Sequence, residues 1–254
     1  MKHAFDFKGK VAIVTGSSKG IGKSIALALA ACGAAVVVSS RSQESVDQVA
    51  QEITEAGGRA LAISCHVGKE EQLDNLVNQT IAHFGGVDIL INNAATNPVF
   101  AKLLESDPDV FDKIMNVNVK ACMLLANKCY ASMVERGGGS VINIASVEGL
   151  KPSFGLSLYS MSKAALIMLT KTQAVEWSRK GIRSNAICPG LIQTKFSEAL
   201  WKNEQVLEAF LKHLPMNRMA QPEEMVGLAL HLASDQSSYT TGGVYASDGG
   251  FMLM

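Results

Sequence analysis

An excess of either charge is what this sequence lacks first: 23 Lys and Arg residues stand against 23 Asp and Glu, for a formal net charge of +0 over 254 residues. Nucleic acid and anionic membrane surfaces need a basic patch, so neither is expected as the main partner. Cysteine is sparse and unordered. The five (Cys32, Cys65, Cys122, Cys129, Cys188) are odd in number and form no C-x-x-C. Four lie in apolar segments, where a free thiol behaves as a small hydrophobe, and this is the usage of a reducing compartment. The five histidines show no H-E-x-x-H or other ligand spacing, so no metal site is expected. Long hydrophobic runs are missing too. The longest, Ile25 to Val38, is 14 residues and contains Gly33, which reads as a helix end joined to a strand and is too short for a bilayer span. The opening Met-Lys-His-Ala-Phe-Asp-Phe has no signal-peptide core, and Gly250 to Met254 match no peroxisomal or ER-retention tail. A soluble, cytoplasmic protein is the expectation.

What is present is a core. Apolar residues make up 48% and charged residues 18%, enough for an ordered chain. Apolar, β-rich runs at Val11–Thr15, Ala35–Ser39, Ala60–Cys65, Val87–Ile91, Ser140–Ala145, Ser184–Cys188 and Val244–Ala246 alternate with helical patterns. Those patterns cover about Gly20–Ala31, Gln43–Ala56, Glu70–Phe84, Pro108–Val134, Ser157–Arg179 and Pro222–Ala233. Such alternation with fully apolar strands predicts an α/β fold: a doubly wound parallel sheet covered on both faces, with right-handed crossovers. Ligands then collect at the carboxyl ends of the strands. No repeat, linker or low-complexity stretch divides the chain, so one domain is expected over residues 1–254.

The first strand runs directly into Thr15-Gly16-Ser17-Ser18-Lys19-Gly20-Ile21-Gly22. Glycines between a strand and a helix allow a tight turn and let the backbone approach a pyrophosphate at the helix N-terminus. The spacing is G-x-x-x-G-x-G, a variant of the usual dinucleotide fingerprint. NAD sites commonly place a carboxylate about 20 residues farther on, for the ribose 2′-OH. This chain has Ser40 and Arg41 there, and Lys19 lies inside the turn. Guanidinium and ammonium groups suit a 2′-phosphate; the bland reading is that both are ordinary surface charges. NADP(H) is the expected cofactor.

The stretch Ala145 to Leu169 carries the chemistry. An apolar run closes on Ser146, and a helical pattern from Ser157 sets Tyr159 and Lys163 at i and i+4, on one helix face. An ammonium beside a phenol favours the phenolate and lowers the tyrosine below its reference pKa of ~10, fitting it to give or take a proton near neutral pH. A serine hydroxyl at the neighbouring strand end is within reach to hold a carbonyl oxygen. Tyr–Lys pairs at this spacing occur on many helices, so the pair alone does not identify a site. Asn92-Asn93-Ala94-Ala95 closes the fourth strand, where amides either fix the backbone near a cofactor or serve the turn itself. Asn116 and Asn118 both sit in a long apolar helix, an unfavourable place for asparagine. Cys188-Pro189-Gly190-Leu191-Ile192-Gln193-Thr194 closes the sixth strand with a turn able to cover a nicotinamide. Residues 194–214 follow as a helical pattern read as a substrate lid, against the plain alternative of a surface helix.

Taken together, these motifs resemble the short-chain dehydrogenase/reductase family, single-domain branch, over essentially the whole chain. Thr15-Gly16-x-x-x-Gly20-Ile21-Gly22, Asn92-Asn93-Ala94, Asn118, Ser146, Tyr159-x-x-x-Lys163 and Pro189-Gly190 match it in type, order and spacing. The resemblance implies a Rossmann-like sheet of about seven strands in the order 3-2-1-4-5-6-7, and a homotetramer. It implies hydride transfer between nicotinamide and a carbonyl carbon, with Tyr159 as general acid/base. Lys163 then lowers the tyrosine pKa and binds the nicotinamide ribose, Ser146 polarises the carbonyl, and Asn118 holds a water of the proton relay. The implied cofactor contacts are Gly16, Ser18, Lys19, Gly20, Ile21, Gly22, Ser40, Arg41, His66, Val67, Asn93, Ala94, Tyr159, Lys163, Pro189, Gly190, Ile192 and Thr194. Two positions depart from the pattern: His66 stands where relatives usually carry Asp toward adenine, and Ala95 where glycine is frequent.

Within the family the chain looks most like NADP-dependent carbonyl, retinal and diketone reductases of animals and their microbial relatives. The shared features are Cys65-His66-Val67-Gly68-Lys69, Asn93-Ala94-Ala95-x-Asn97-Pro98 and Pro189-Gly190-Leu191-Ile192-x-Thr194. The expected function is NADPH-dependent reduction of a small-molecule ketone or aldehyde to the alcohol. The pocket is expected to draw on Asn97, Glu148, Phe154, Leu156, Leu191 and Trp201, a mostly apolar set. Glu148 reads equally as a contact for a polar or cationic group and as a solvated loop carboxylate. The alternative function is a 3-ketoacyl-thioester reductase, for which Lys151, Lys195 and Lys202 lie in suitable segments without forming a cluster. An enoyl reductase fits less well, because those relatives space Tyr and Lys more widely. A non-catalytic NADP-binding regulator would normally lose one of Ser146, Tyr159 and Lys163.

Overall fold

The computed structural model describes residues 5–212 and 214–254. Residues 1–4 of the N-terminal stretch and position 213 of the expected lid lie outside the described residues. Seven strands, β1 (Val11–Thr15), β2 (Ala35–Ser40), β3 (Arg59–Ser64), β4 (Ile89–Asn92), β5 (Gly139–Ile144), β6 (Ile182–Pro189) and β7 (Val244–Ser247), form one sheet in the order β3-β2-β1-β4-β5-β6-β7. Every pairing is parallel. The expected order is the observed one.

The sheet's apolar strands are buried on both faces, and their period of two sorts the side chains. Val14, Val36 and Val38 point into a cluster with Ile25, Leu29 and Leu232. The intervening Ile13, Val37 and Leu90 point the other way, into Leu73, Leu76 and Leu125. In register, Ile13 lies between Val37 and Leu90. The first cluster is closed by α1 (Gly20–Ala31), α2 (Gln43–Glu55) and α9 (Val226–Ala233). The second is closed by α3 (Glu70–Phe84) and α5 (Ala121–Glu135). Local signals set the helix ends. Ser42 caps α2 by accepting from Ser45 N at 3.3 Å, and Gly85 at φ 83° stops α3.

Because β4 returns beside β1 after the chain has built outward to β3, the carboxyl ends of β1 and β4 diverge and open a crevice there. At the opposite, amino ends of these strands, the buried Asp88 accepts from Val11 N at 2.7 Å and from Arg136 Nε at 2.9 Å, binding the end of α5 to the start of β1.

One expected helix is not continuous. The pattern over Pro108–Val134 is split into α4 (Pro108–Met115), a π-helical segment at Asn116–Lys120, and α5. The lid region holds α7 (Glu198–Trp201) and α8 (Glu204–Lys212) separated by a break, in place of one helix. Among the described residues no helix is long and apolar enough to cross a membrane.

Candidate active site

Strand β5 stops at Ile144, and two residues later Ser146 sits at the mouth of the crevice, 8% exposed. A single 3₁₀ turn, Val147–Gly149, follows; Ser146 Oγ caps it by accepting from Glu148 N at 3.1 Å. Gly149 then passes so close to the next helix, α6 (Ser157–Trp177), that a Cβ would meet Lys163 C at 2.7 Å. This close approach brings Tyr159 and Lys163, one turn apart on α6, against Ser146. The serine hydroxyl is near enough to the tyrosine's to favour its ionised form. Lys163 is 2% exposed, its Nζ donates to Ile144 O at 2.8 Å, and it stands 5.6 Å from the centre of the Tyr159 ring.

The electrostatics of the pair differ from the expectation. Burial pushes Tyr159 up, the Ser146 hydroxyl pulls it partly back, and the Glu148 and Cys188 side chains add to the rise. Burial outweighs the nearby lysine. Its ammonium bonds the Ile144 carbonyl, 5.6 Å from the centre of the ring, and burial lowers its own pKa to about 8. Desolvation, unreadable from spacing, decides both signs.

Asn118 is fully buried in the π-helical segment. Its Oδ1 accepts from Thr96 N at 2.8 Å, and its Nδ2 donates to Thr96 O and Ser162 Oγ, both at 3.0 Å. The side-chain amide is therefore taken up in joining the strand β4 loop to α6. Its Oδ1 has accepted one bond and keeps a second lone pair, so these contacts leave Asn118 able to hold the expected water. Asn116 is used elsewhere, donating to Gly68 O at 3.0 Å.

The glycine turn forms the floor of the crevice. Gly16 and Gly20 adopt φ of 64° and 57°, a region that side chains disfavour. Thr15, which opens the glycine motif but has no role of its own readable from the sequence, holds the turn to the end of β4: its Oγ1 accepts from Asn93 N and Ala94 N at 3.0 Å each. Asn93 Nδ2 returns bonds to Thr15 O at 2.9 Å and Gly16 O at 3.1 Å, so this asparagine serves the turn itself. A polar residue closing an apolar strand just before the glycines was the available signal for Thr15.

The residues present fit a phosphorylated dinucleotide. Lys19, at the N-cap of α1, gives no side-chain cap, and the first turn of α1 has no acidic residue, so its amide N–H groups face the crevice free for an anion. Ile21 lies in that first turn and Ser18 just before it. Ser39 Oγ is buried without a partner at the end of β2, beside Ser40 and the exposed Arg41. Thr194 Cγ2 would lie 3.3 Å from a Cβ on Gly20, so the Pro189-Gly190 turn roofs the glycine turn. Ile192 is buried there and bridges to Ala220. At the end of β3, His66 Nδ1 accepts from Gly68 N at 3.1 Å, doing for the Cys65–Lys69 loop, which includes Val67, what an aspartate oxygen would do.

On the substrate side, Phe196 is the residue sequence reading left out of the pocket. Its ring centre is 5.9 Å from that of Tyr159. Phe154 is exposed and Leu156 pairs with Ala101 across the loop after β4; Leu191 and Asn97 are half-buried. Trp201 Nε1 donates to Thr194 O at 3.1 Å, turning α7 onto the roof. Glu148 is neither solvated nor free: its carboxylate is bonded to Ser153 and Ser160. Of the three lysines considered for an acyl carrier, Lys151 bonds the Met254 carbonyl and Lys202 pairs with Glu198 at 2.8 Å. Among the described residues no group of three or more His, Cys, Asp or Glu could hold a metal ion.

Known proteins share this arrangement. A family model described as "Enoyl-(Acyl carrier protein) reductase" matches residues 16–252. Dehydrogenase/reductase SDR family member 4 of Oryctolagus cuniculus is 44% identical over 95% of this chain and 93% of its own. A short-chain type dehydrogenase/reductase from Mycobacterium marinum superposes with a TM-score of 0.92 at 40% identity, covering 99% of this chain and 98% of that one. A gluconate 5-dehydrogenase from Burkholderia cenocepacia J2315, solved with NADP and tartrate, superposes with a TM-score of 0.94 at 32% identity, covering 99% and 98%.

Proposed function

The chain belongs to the short-chain dehydrogenase/reductase family of oxidoreductases, and from that premise we propose that it reduces a ketone or aldehyde to the alcohol with NADPH. The observation that carries the reading is the Ser146–Tyr159–Lys163 cluster, its serine and lysine buried and its tyrosine half-buried, opening onto the glycine-turn crevice. A nicotinamide bound there supplies the hydride. The chain's own residues do the rest: the Ser146 hydroxyl donates to the carbonyl oxygen, and Tyr159 passes its proton to the same oxygen as charge develops. A tyrosine pushed up by burial stays protonated at neutral pH, the state an acid needs in the reductive direction. Lys163, partly charged near its lowered pKa of about 8, holds positive charge beneath the phenol as it loses its proton.

NADP over NAD is supported by Arg41 and Lys19, which form no ion pair with a carboxylate among the described residues, and by the NADP in the Burkholderia cenocepacia relative. A carrier-bound thioester substrate is less favoured, since two of the three candidate lysines are already engaged. We infer a homotetramer, supported by the exposed Met161, Met168 and Val175 stripe along α6 and by Met123 on α5, in the cytoplasm, supported by five unpaired cysteines. Its size in solution, by light scattering on a sizing column, tests that.

The test of function is oxidation of NADPH and NADH side by side over an aryl diketone, a β-ketoester, a 3-ketoacyl thioester, an enoyl thioester and an amine-bearing ketone. Turnover with NADPH that falls by at least ~10³-fold in Tyr159→Phe is expected. Faster turnover with NADH overturns the cofactor assignment. Tight NADPH binding without turnover points to a regulator.

A further inference from the structure

The carboxylate of Glu148 has more bonds than a loop residue needs. Its Oε1 accepts from Ser153 Oγ at 2.6 Å, and its Oε2 accepts from Ser153 N and Ser160 Oγ, both at 2.9 Å. A carboxylate offers about four acceptor positions, so three donors nearly fill it. Its own backbone N–H donates to Ser146 Oγ. Ser160 is buried on the first turn of α6, directly after Tyr159. One residue therefore bonds through its backbone to the hydroxyl that meets the carbonyl, and through its side chain to the neighbour of the proton donor. Between these contacts the chain makes a ten-residue excursion, 150–159, which the Ser153 bonds fold back on itself.

We propose that Glu148 is a positioning residue that sets the distance and orientation of Tyr159 relative to Ser146 by clamping Ser153 and Ser160. The proposal rests on the carbonyl-reductase reading above. The carboxylate is one of the groups that raise Tyr159. The Ser146 hydroxyl and the Cys188 thiol also act on the phenol; Lys163 lies over its ring, and Phe196 packs alongside. Glu148 is the acidic group of that set, so its replacement is read directly in the pH at which the phenol ionises.

Two variants separate clamp from charge. Glu148→Gln removes the charge and sets an amide NH₂ against donors; Ser160→Ala removes one bond and leaves the charge. In Glu148→Gln, kcat is expected to fall at least ~10-fold with ketone KM changed less than ~3-fold. The ionisation limb of alcohol oxidation, which needs the phenolate, should move down by about 0.5 pH unit or more. In Ser160→Ala, kcat should fall by about 3- to 10-fold with the limb unmoved. Tyr159 ionisation in the NADP⁺ complex, taken as phenolate absorbance minus that of Tyr159→Phe, gives the same comparison without turnover. An enzyme inactive on every ketone thus refutes the functional reading while this titration still decides the role of Glu148. Equal phenolate onsets in wild type and Glu148→Gln, unchanged kcat, or an effect on KM alone would each overturn the proposal.

Discussion

Replacing Lys163 by methionine should leave a chain whose stability responds to pH differently from the wild type, by an amount the structure fixes. Burial lowers this lysine from 10.5 to about 8 in the folded protein. At ~1.4 kcal/mol per pKa unit, the fold carries a penalty of about 3 kcal/mol wherever both states are protonated, which is below pH 8. As pH rises through 8, the folded state releases its proton first. The unfolded chain then binds more protons, and folding stability rises by up to ~1.4 kcal/mol per pH unit until about 10.4. Methionine has no such dependence. It fills much the same volume but leaves the Ile144 carbonyl without its 2.8 Å donor, which costs about 1–3 kcal/mol. At pH 7 the variant should therefore match the wild type or exceed it by up to ~2 kcal/mol. Between pH 7 and 10 the wild type should gain about 2–3 kcal/mol on the variant. Urea unfolding of both proteins, each at pH 7, 8.5 and 10, measures this. A difference in stability that stays constant over that range would refute the reasoning, because it would mean that the lysine is charged in both states throughout.

Other expectations follow from contacts already described. In Gly22→Ala the new Cβ would lie 2.6 Å from Gly16 O and nearer still to Asn93 Nδ2, so the turn must shift. NADPH affinity by calorimetry should drop at least ~10-fold with the circular dichroism spectrum preserved. Asp88→Ala strands the Val11 N–H and leaves the Arg136 guanidinium with the Gly9 carbonyl, and should cost about 3 kcal/mol in urea unfolding. Because it lies at the amino ends of β1 and β4, away from the site, kcat under native conditions should not change. His66→Leu removes the acceptor for Gly68 N–H and should weaken NADPH binding about 5- to 10-fold, while His66→Asp should keep it within about 2-fold. Equal losses in the two variants would show that the imidazole is recognised for some other property.

The strands were legible because this sheet is buried on both faces: a continuous run such as Val36-Val37-Val38 has one physical home, and its flanking Gly33 and Ser42 mark the limits. The site triad was legible as residue types at fixed spacing. Directions were not. That Asn93 turns back onto Thr15 and Gly16, that Asn118 spends its amide on Thr96 and Ser162, and that Glu148 faces inward all depend on which loop lies opposite. The sign of the Tyr159 shift was missed for a related reason: spacing shows a lysine one turn away, whereas the pKa depends on how much water is removed from both groups. The interruption at Asn116–Lys120 was hinted at by two asparagines in an apolar helix but not located, since the apolar spacing of Val117 and Val119 is as compatible with five residues in a wide turn as with four.

That interruption can be viewed as an insertion that the helix never absorbed. The amide of Ala121 reaches back to Asn116 O instead of Val117 O, so the segment holds one residue more than a regular helix of the same rise. A regular α-helix completes a turn in about 3.6 residues, and here five fill roughly that turn, so α4 and α5 keep their faces on either side of the bulge. Deleting one residue would leave those faces in place, with α5 still held against Leu73 and Leu76 by Leu125 and Cys129, and would restore regular helical bonding. What would be lost is the local outward step that carries Asn118 to Thr96 and Ser162. The extra residue is thus a shelf: it moves one side chain toward the site without turning the helices that flank it.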